Sequence, residues 1–331
     1  MQFIARFRSG LFDTRAEDFS VKALAAFQFQ AENCPVYRDF LHYLDIRPKE
    51  ISQISEIPFL PIELFKTHQV LSVPDKPSLY FESSGTTGQQ TSRHYIADIE
   101  LYHESILQGF RRVYGNPAEY CLVALLPSYL ERKNASLVYM CNTLMQAGTL
   151  PASGFYLNEW DELINLLRQN EQQHTKTILI GVSFALLDLA DKIQLPLKNT
   201  IIIETGGMKG RKAEITREAL HTHLKNAFHT SAIHSEYGMT ELLSQAYATE
   251  NGRFFCPPWM QVMIRDAEDP FSRMNTGATG CINIIDLANI HSCCFIATQD
   301  LGRLNVTGSF EVLGRFDNSD VRGCNLMVQQ H

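Results

Sequence analysis

Between residues 79 and 227, short apolar runs of strand length alternate with stretches of helical periodicity, and this leaves few folds open. Residues 79–82 read as a strand followed by a glycine-rich turn, 99–113 as a helix, 121–126 as a buried strand and 135–147 as a helix. Residues 176–182 read as another strand, running into a helix at 185–192; 200–204 is a further strand, and 212–227 a helix opened by charged residues. Such alternation implies an α/β fold, a largely parallel sheet covered by helices. Ahead of it, Thr14 or Asp13 is placed to cap a helix whose apolar positions Phe19, Ala23, Ala26 and Phe27 keep helical spacing. Pro58, Pro61 and Pro74 break residues 57–74 into irregular chain. From Gly252 onward the runs 262–264, 281–286, 295–298 and 310–313 are separated by Gly, Asn and Asp turns, the pattern of a smaller antiparallel β region. The expected division is an α/β body over 1–250 and a β lobe with a short tail over 251–331.

The 331 residues, 45% hydrophobic and 20% charged, suffice for a real core in one large domain or two smaller ones. Lys plus Arg number 29 against 36 Asp plus Glu, and the formal charge of −7 disfavours nucleic acid and anionic membranes as partners. No run approaches the roughly 20 apolar residues of a membrane span. The best stretch, 178–190, carries Asp188. Arg6 and Arg8 have no apolar run behind them, so no secretory signal is expected, and the eight cysteines are expected as reduced thiols in a cytoplasmic protein.

Chemistry first shows in Phe81-Glu82-Ser83-Ser84-Gly85-Thr86-Thr87-Gly88, where two glycines and four hydroxyl residues follow a strand. The glycines let backbone N–H groups converge on one point and the hydroxyls add donors, a nest suited to phosphate oxygens. No Gly-Lys-Ser/Thr follows, so this is not the lysine-bearing nucleotide loop, and on the loop alone an ordinary Ser/Thr/Gly turn stays open. Three later segments bear on the choice. They are His234-Ser235-Glu236-Tyr237-Gly238-Met239-Thr240-Glu241, then Thr298-Gln299-Asp300-Leu301-Gly302, then Gly314-Arg315-Phe316-Asp317 running to Arg322-Gly323.

Together the four segments resemble the adenylate-forming superfamily of acyl-CoA synthetases and luciferases, over roughly residue 80 to the end. Ile57-Pro58-Phe59-Leu60-Pro61-Ile62, Phe65-Lys66-Thr67 and the stretch from Asp317 to Cys324 look like its acyl-protein synthetase branch, the LuxE type; phenylacetate–CoA ligases are the nearest other group. The fold implied is that of the superfamily's N-terminal domain, helix-covered sheets with a smaller β lobe. The reaction implied joins a carboxylic acid, a fatty acid in this branch, to the α-phosphate of ATP and expels pyrophosphate.

The resemblance also implies roles. Ser83, Ser84, Gly85, Thr86, Thr87 and Gly88 would hold the β- and γ-phosphates, and Thr240 would touch the α-phosphate. Glu241 would carry magnesium, a hard cation that favours oxygen ligands. Gly206 and Gly207 would let adenine approach the backbone, Tyr237 would pack its ring on the base, and Glu236 and Gly238 would belong to the same nucleotide site. Asp300 would accept both ribose hydroxyls and Arg315 would reach ribose or phosphate. The lysine that usually ends the loop is replaced by Gln89 and Gln90, and Arg93 is the nearest cation. Eight residues follow Gly323, so the superfamily's lysine-bearing C-terminal domain is expected to be absent. In the acyl-protein synthetase branch a cysteine near the end takes the acyl group, and Cys324 matches it. A thiolate there would store the acyl group as a thioester for an acyl-accepting protein, a reductase or carrier. Coenzyme A as acceptor, and a nucleotide-binding subunit without catalysis, are the rival readings.

Other patterns weigh less. Gly181-Val182-Ser183-Phe184-Ala185 approaches a hydrolase nucleophile elbow but ends in alanine. His291, Cys293, Cys294, Cys256 and Cys281 lack the Cys-x-x-Cys spacing of a zinc site and read as buried thiols. His221, His223 and His229 read as a solvated helix face.

Overall fold

The computed structural model of the chain describes residues 2–74, 77–83, 90–127, 134–148, 150, 152–157, 159–206 and 215–316. Described residues up to Pro74 and from Pro258 form one compact unit, and those between form another. The division expected at residue 250 therefore takes a different form, because the first 74 residues fold with the β lobe rather than with the α/β body.

The first unit opens with α1 (Gln2–Arg8), α2 (Ala16–Asn33), α3 (Pro35–Tyr43), β1 (Leu60–Pro61) and α4 (Leu64–Thr67). Along α2 the residues Phe19, Ala23, Ala26, Phe27 and Gln30 are buried, the stripe that the sequence shows. Its N-cap is Arg15, with no side-chain cap. Thr14, expected as the cap, instead donates to the Leu11 carbonyl and accepts from Lys22 Nζ at 2.8 Å. Fully buried Gln30 joins distant parts of the unit. Its Nε2 donates to the carbonyls of Asn289 and Ile290 at 3.0 and 3.1 Å, and its Oε1 accepts the Cys294 N–H at 2.8 Å.

The second unit begins with a hairpin, β2 (Tyr80–Glu82) and β3 (Arg93–Tyr95). Next come α5 (Ile99–Tyr114), β4 (Cys121–Leu125), α6 (Ser136–Gln146), β5 (Gly154–Phe155) and α7 (Trp160–Gln172). Then follow β6 (Thr177–Gly181), α8 (Ser183–Lys192), β7 (Thr200–Glu204), α9 (Arg217–Phe228), β8 (His234–Tyr237) and β9 (Ala246–Ala248). Asp98 caps α5 by accepting from Leu101 N at 3.0 Å, and Thr216 caps α9. The start of the helix expected at 212 falls partly outside the described residues. Six strands form one sheet in the order β5-β4-β6-β7-β8-β9, parallel throughout except for β9. Both β4 and β6 are buried at every residue, which is why they read as unbroken apolar runs. The crossover from β4 to β5 steps one way along the sheet, and those from β5 to β6, β7 and β8 step the other. Right-handed crossovers then place α6 on one face and α7, α8 and α9 on the opposite face, with α5 packed beside α6.

The chain returns to the first unit with β10 (Met260–Arg265), β11 (Thr279–Asp286), β12 (Phe295–Leu304) and β13 (Phe310–Arg315). These strands pair antiparallel in sequence, as the short apolar runs predict. Strand β1 adds in parallel to the start of β12, pairing Leu60 with Ile296. Its Pro61 has no N–H to donate, a loss that a two-residue edge strand tolerates. Among the described residues no helix is long and apolar enough to cross a membrane.

Candidate active site

The β2–β3 hairpin holds the ends of the Ser/Thr/Gly loop. Ser83 N donates to the Ser92 carbonyl at 3.1 Å, and Ser92 N to Ser83 Oγ at 3.0 Å, which closes the ladder just before the loop. Ser84, Gly85, Thr86, Thr87 and Gly88 lie outside the described residues, as do Gly207, Arg322, Gly323 and Cys324. Arg93, the candidate for the missing lysine, stands opposite Glu82. Its Nε bonds Glu82 Oε1 at 2.8 Å, and its guanidinium lies over the Tyr80 ring at 5.2 Å.

The residue before Arg93 and the residue after it both reach the second segment. Ser92 Oγ donates to the carboxylate of Glu241, which is 5% exposed. His94 Nδ1 lies 2.9 Å from the Thr240 carbonyl oxygen, an atom that only accepts, so Nδ1 carries the proton. Burial lowers the His94 pKa to about 4, so the ring is neutral near pH 7. Ser92, just before β3, and His94 within it thus tie the loop's flank to Glu241 and Thr240. Sequence reasoning passed over Ser92 and His94; the signal available was a short polar strand directly after the loop.

Strand β8 carries His234, Ser235, Glu236 and Tyr237 in alternation, so Ser235 and Tyr237 share one face and His234 and Glu236 the other. On the first face, Tyr237 is buried with its ring 5.8 Å from that of Phe254. Ser235 pairs in register with Glu204, the last residue of β7. Glu204 Oε2 accepts the Gly206 N–H at 2.7 Å and Ser183 Oγ at 3.3 Å, while Oε1 lies 3.2 Å from Arg217 Nε and 3.7 Å from His221 Nε2. Burial alone would raise this carboxyl; His221, Arg217, the Gly206 N–H and Ser235 outweigh it and bring the pKa to about 2. His221, expected on a solvated face, is therefore buried beside a carboxylate that the sequence did not single out. His223, paired with Asp191 on the surface, and His229, exposed at the C-cap of α9 with φ 48°, behave as read.

Gly206 follows Glu204 at φ 70°, a left-handed conformation that favours glycine. Among the described residues a Cβ there would meet nothing within 4 Å. On the second face of β8, His234 Nδ1 lies 3.2 Å from the Tyr114 hydroxyl of α5. Glu236 stands opposite Tyr247 of β9, and burial together with the Glu204 charge pushes its carboxyl up to about 8. Glu236 and Tyr237, grouped by sequence around one base, thus point to opposite sides of the strand.

Asp300 and Arg315 belong to the first unit, where β12 pairs them in register with Nε 3.8 Å from Oδ1. Asp300 N donates to Thr298 Oγ1 at 3.1 Å, so the threonine of this segment orders its aspartate. A Cβ on Gly302 would come within 2.6 Å of the Glu311 carbonyl oxygen, which accounts for the glycine two positions on. Among the described residues no group of three His, Cys, Asp or Glu side chains is arranged to hold a metal ion. Cys293 and Cys294 are buried free thiols.

Comparison with solved structures shows a shared fold. The chain is similar to 2-hydroxyisobutyryl-CoA ligase in an open conformation with 2-HIB-AMP and CoA, at 12% identity and a TM-score of 0.69 over 92% of this chain and 71% of that one. ATP-bound MatB from Rhodopseudomonas palustris is similar at 17% identity and a TM-score of 0.55 over 73% of this chain. The match spans about half of MatB, 49% of its length. No curated protein matches the sequence. The family described as Acyl-protein synthetase, LuxE, matches residues 11–331, and the chain belongs to that family.

Proposed function

We propose that this chain uses ATP to activate a carboxylic acid and passes the acyl group to a thiol. A carboxylate oxygen attacks the α-phosphorus of ATP, pyrophosphate leaves, and the acyl-adenylate is a mixed anhydride. The observation that carries this reading is the pair of bonds from Ser92 to Glu241 and from His94 to Thr240. They fix the flank of a phosphate-binding loop to the two residues that the family resemblance assigns to the α-phosphate and magnesium. Positioning of this kind is what phosphoryl chemistry asks of a protein, because orientation and charge supply most of the rate.

Residues 83–88 hold the β- and γ-phosphates in this reading, and Arg93 adds positive charge at the loop's end. The roles of Gly206, Gly207, Tyr237 and Gly238 toward adenine rest on the family resemblance, and among the described residues a Cβ on Gly206 would meet nothing within 4 Å. The ribose roles of Asp300 and Arg315 rest on the resemblance. Glu241 fits magnesium, since that ion takes one or two carboxylates and completes its shell with phosphate oxygens and water. When bound, the ion offsets charge on the triphosphate. Neutral His94 keeps the Thr240 carbonyl occupied and so fixes the turn that carries Thr240 and Glu241. The Cys324 thiolate then attacks the acyl carbonyl, the carbonyl–phosphate oxygen bond breaks, AMP leaves, and a thioester remains for transfer to an acceptor protein or thiol. The family resemblance favours a fatty acid, a protein acceptor and the cytoplasm.

ATP–pyrophosphate exchange with a panel of fatty and aryl acids tests the first step, on the wild type and Cys324→Ser. Exchange by both proteins, with hydroxylamine-labile acyl label on the wild type alone, is the expected result. Label on both would remove Cys324 from the pathway and favour coenzyme A or another thiol. No exchange with any acid would sink the adenylation reading.

A further inference from the structure

Strand β12 leaves its ladder with β11 and then rejoins it. Cys281 pairs with Leu301 and Asn283 with Ala297, so Ile282 alone of β11 faces Thr298, Gln299 and Asp300. A bulge of this kind interrupts the ladder and re-aims the side chains within it. One of them is Asp300, which the reading above gives to the ribose hydroxyls. Carbonyls released from the ladder need other donors, because a buried carbonyl without one is costly.

Arg265 supplies them. It stands on β10 opposite Cys281, with β11 between it and β12. Its guanidinium crosses β11, a span of two strand spacings of about 4.8 Å each. The Nη1 group donates to the Ile282 carbonyl at 3.1 Å and to Asn283 Oδ1 at 2.7 Å, and Nη2 donates to the Thr298 carbonyl at 2.8 Å. Thr298, 1% exposed, closes the relay. Its Oγ1 donates to the same Ile282 carbonyl at 2.8 Å and accepts the Asp300 N–H at 3.1 Å. A planar guanidinium fork suits acceptors fixed on both sides of a bulge, whereas a lysine ammonium is a point charge on a flexible stem. Beside the buried side chains of Ile264, Ile282 and Ile284, a cation is costly, and an apolar residue would serve if β12 ran straight.

We propose that Arg265 is a positioning residue for the nucleotide, holding β12 in the bulged form that presents Asp300 to the ribose of ATP. It acts through Thr298. This rests on the adenylation reading and on the ribose role of Asp300, and it adds the residue that sets ribose recognition.

The test compares ATP with 2′,3′-dideoxy-ATP in pyrophosphate exchange, using the acid that the wild type turns over fastest. The wild type is expected to favour ATP by about tenfold or more in kcat/KM, since a site that bonds hydroxyls rejects an analogue without them. Arg265→Met is expected to lower that ratio by about fivefold or more, the cost of a misplaced contact. Both nucleotides are measured on one protein, so a loss of folded protein cancels. In an Asp300→Ala background, Arg265→Met should leave the ratio within about twofold, because the two changes remove one shared interaction. Thr298→Val breaks the same relay and is read in the same way if Arg265→Met does not fold. A ratio that stays at the wild-type value, or that falls as far without Asp300 as with it, overturns the inference and leaves adenylation standing. A wild type indifferent to the two hydroxyls overturns the ribose role of Asp300 and the inference with it. Absence of exchange with every acid overturns the adenylation reading itself.

Discussion

Two carboxyl groups lie on opposite sides of one strand, and their settings differ. Glu204, on the α9 side of β8, is 2% exposed and bonds Gly206, Ser183, Arg217 and His221. Glu236, on the α5 side, stands opposite Tyr247, whose hydroxyl has no hydrogen-bond partner among the described residues. One carboxyl sits near pKa 2 and the other near 8. Burial pushes both upward, so depth is not what separates them. The partners are. A cation and several donors reverse the effect of desolvation, and a neighbouring carboxylate reinforces it. The Glu204 side is saturated with partners, whereas on the other side the Tyr247 hydroxyl and Gln245 Oε1 have none among the described residues.

The contrast is broken most severely from the saturated side. Glu204→Ala leaves the Arg217 guanidinium, His221 and the Gly206 N–H without their acceptor, and removing one member of a buried ionic cluster costs about 3–5 kcal/mol. Urea unfolding monitored by fluorescence should show a loss of that order, with Glu204→Gln between the two. A smaller effect separates wild type from Glu236→Gln as pH changes. The Glu236 carboxyl titrates near 8 when folded and near the ordinary 4.5 when unfolded. Stability from its neutral form is therefore complete below pH 4.5 and is lost as pH rises toward 8. Relative to Glu236→Gln, the wild type should weaken over that window by on the order of 2 kcal/mol, after allowing for the carboxyl's contact with solvent. Denaturation midpoints of both proteins across the window check the sign. The least effect belongs to Tyr247→Phe, which deletes a hydroxyl with no partner. Its unfolding free energy should stay within about 0.5 kcal/mol of the wild type or rise slightly. A loss above about 2 kcal/mol would show that the hydroxyl is bonded after all and would erase the difference between the faces.

What the sequence made legible follows the same division. Strands such as Thr177–Gly181, buried throughout, announce themselves as unbroken apolar runs, and the β/α order follows from them. Helix Trp160–Gln172 was passed over, because its charged and amide residues dilute a narrow apolar stripe of Leu163, Ile164 and Leu167. The attachment of the first 74 residues to the β lobe was not legible either, since it is made by contacts distant in sequence, among them those of Gln30, whose partners stand about 260 positions away, and the pairing of β1 with β12. At the site, glycine-rich and Tyr-Gly-x-Thr-Glu patterns are visible as words. Ser92, His94, Glu204 and His221 act through pairings across strands and helices, and no local pattern marks such a partner.

The Gln30 bonds also set an order of assembly during synthesis. The second unit is one continuous stretch of chain and needs nothing made after Pro257 to complete its sheet. The first unit needs both of its segments, because Gln30 has no acceptor or donor, and β1 no neighbouring strand, until the residues around 289–297 leave the ribosome. Domains fold as units while translation proceeds, so the later-made unit is completed first and the earliest residues wait for it. Phe27 and Tyr37, in contact with each other, spend that interval without Phe295, the later-made ring that both pack against. Until then α2 and α3 carry apolar surface that their later-made partners will cover, the kind of exposure that favours aggregation during synthesis.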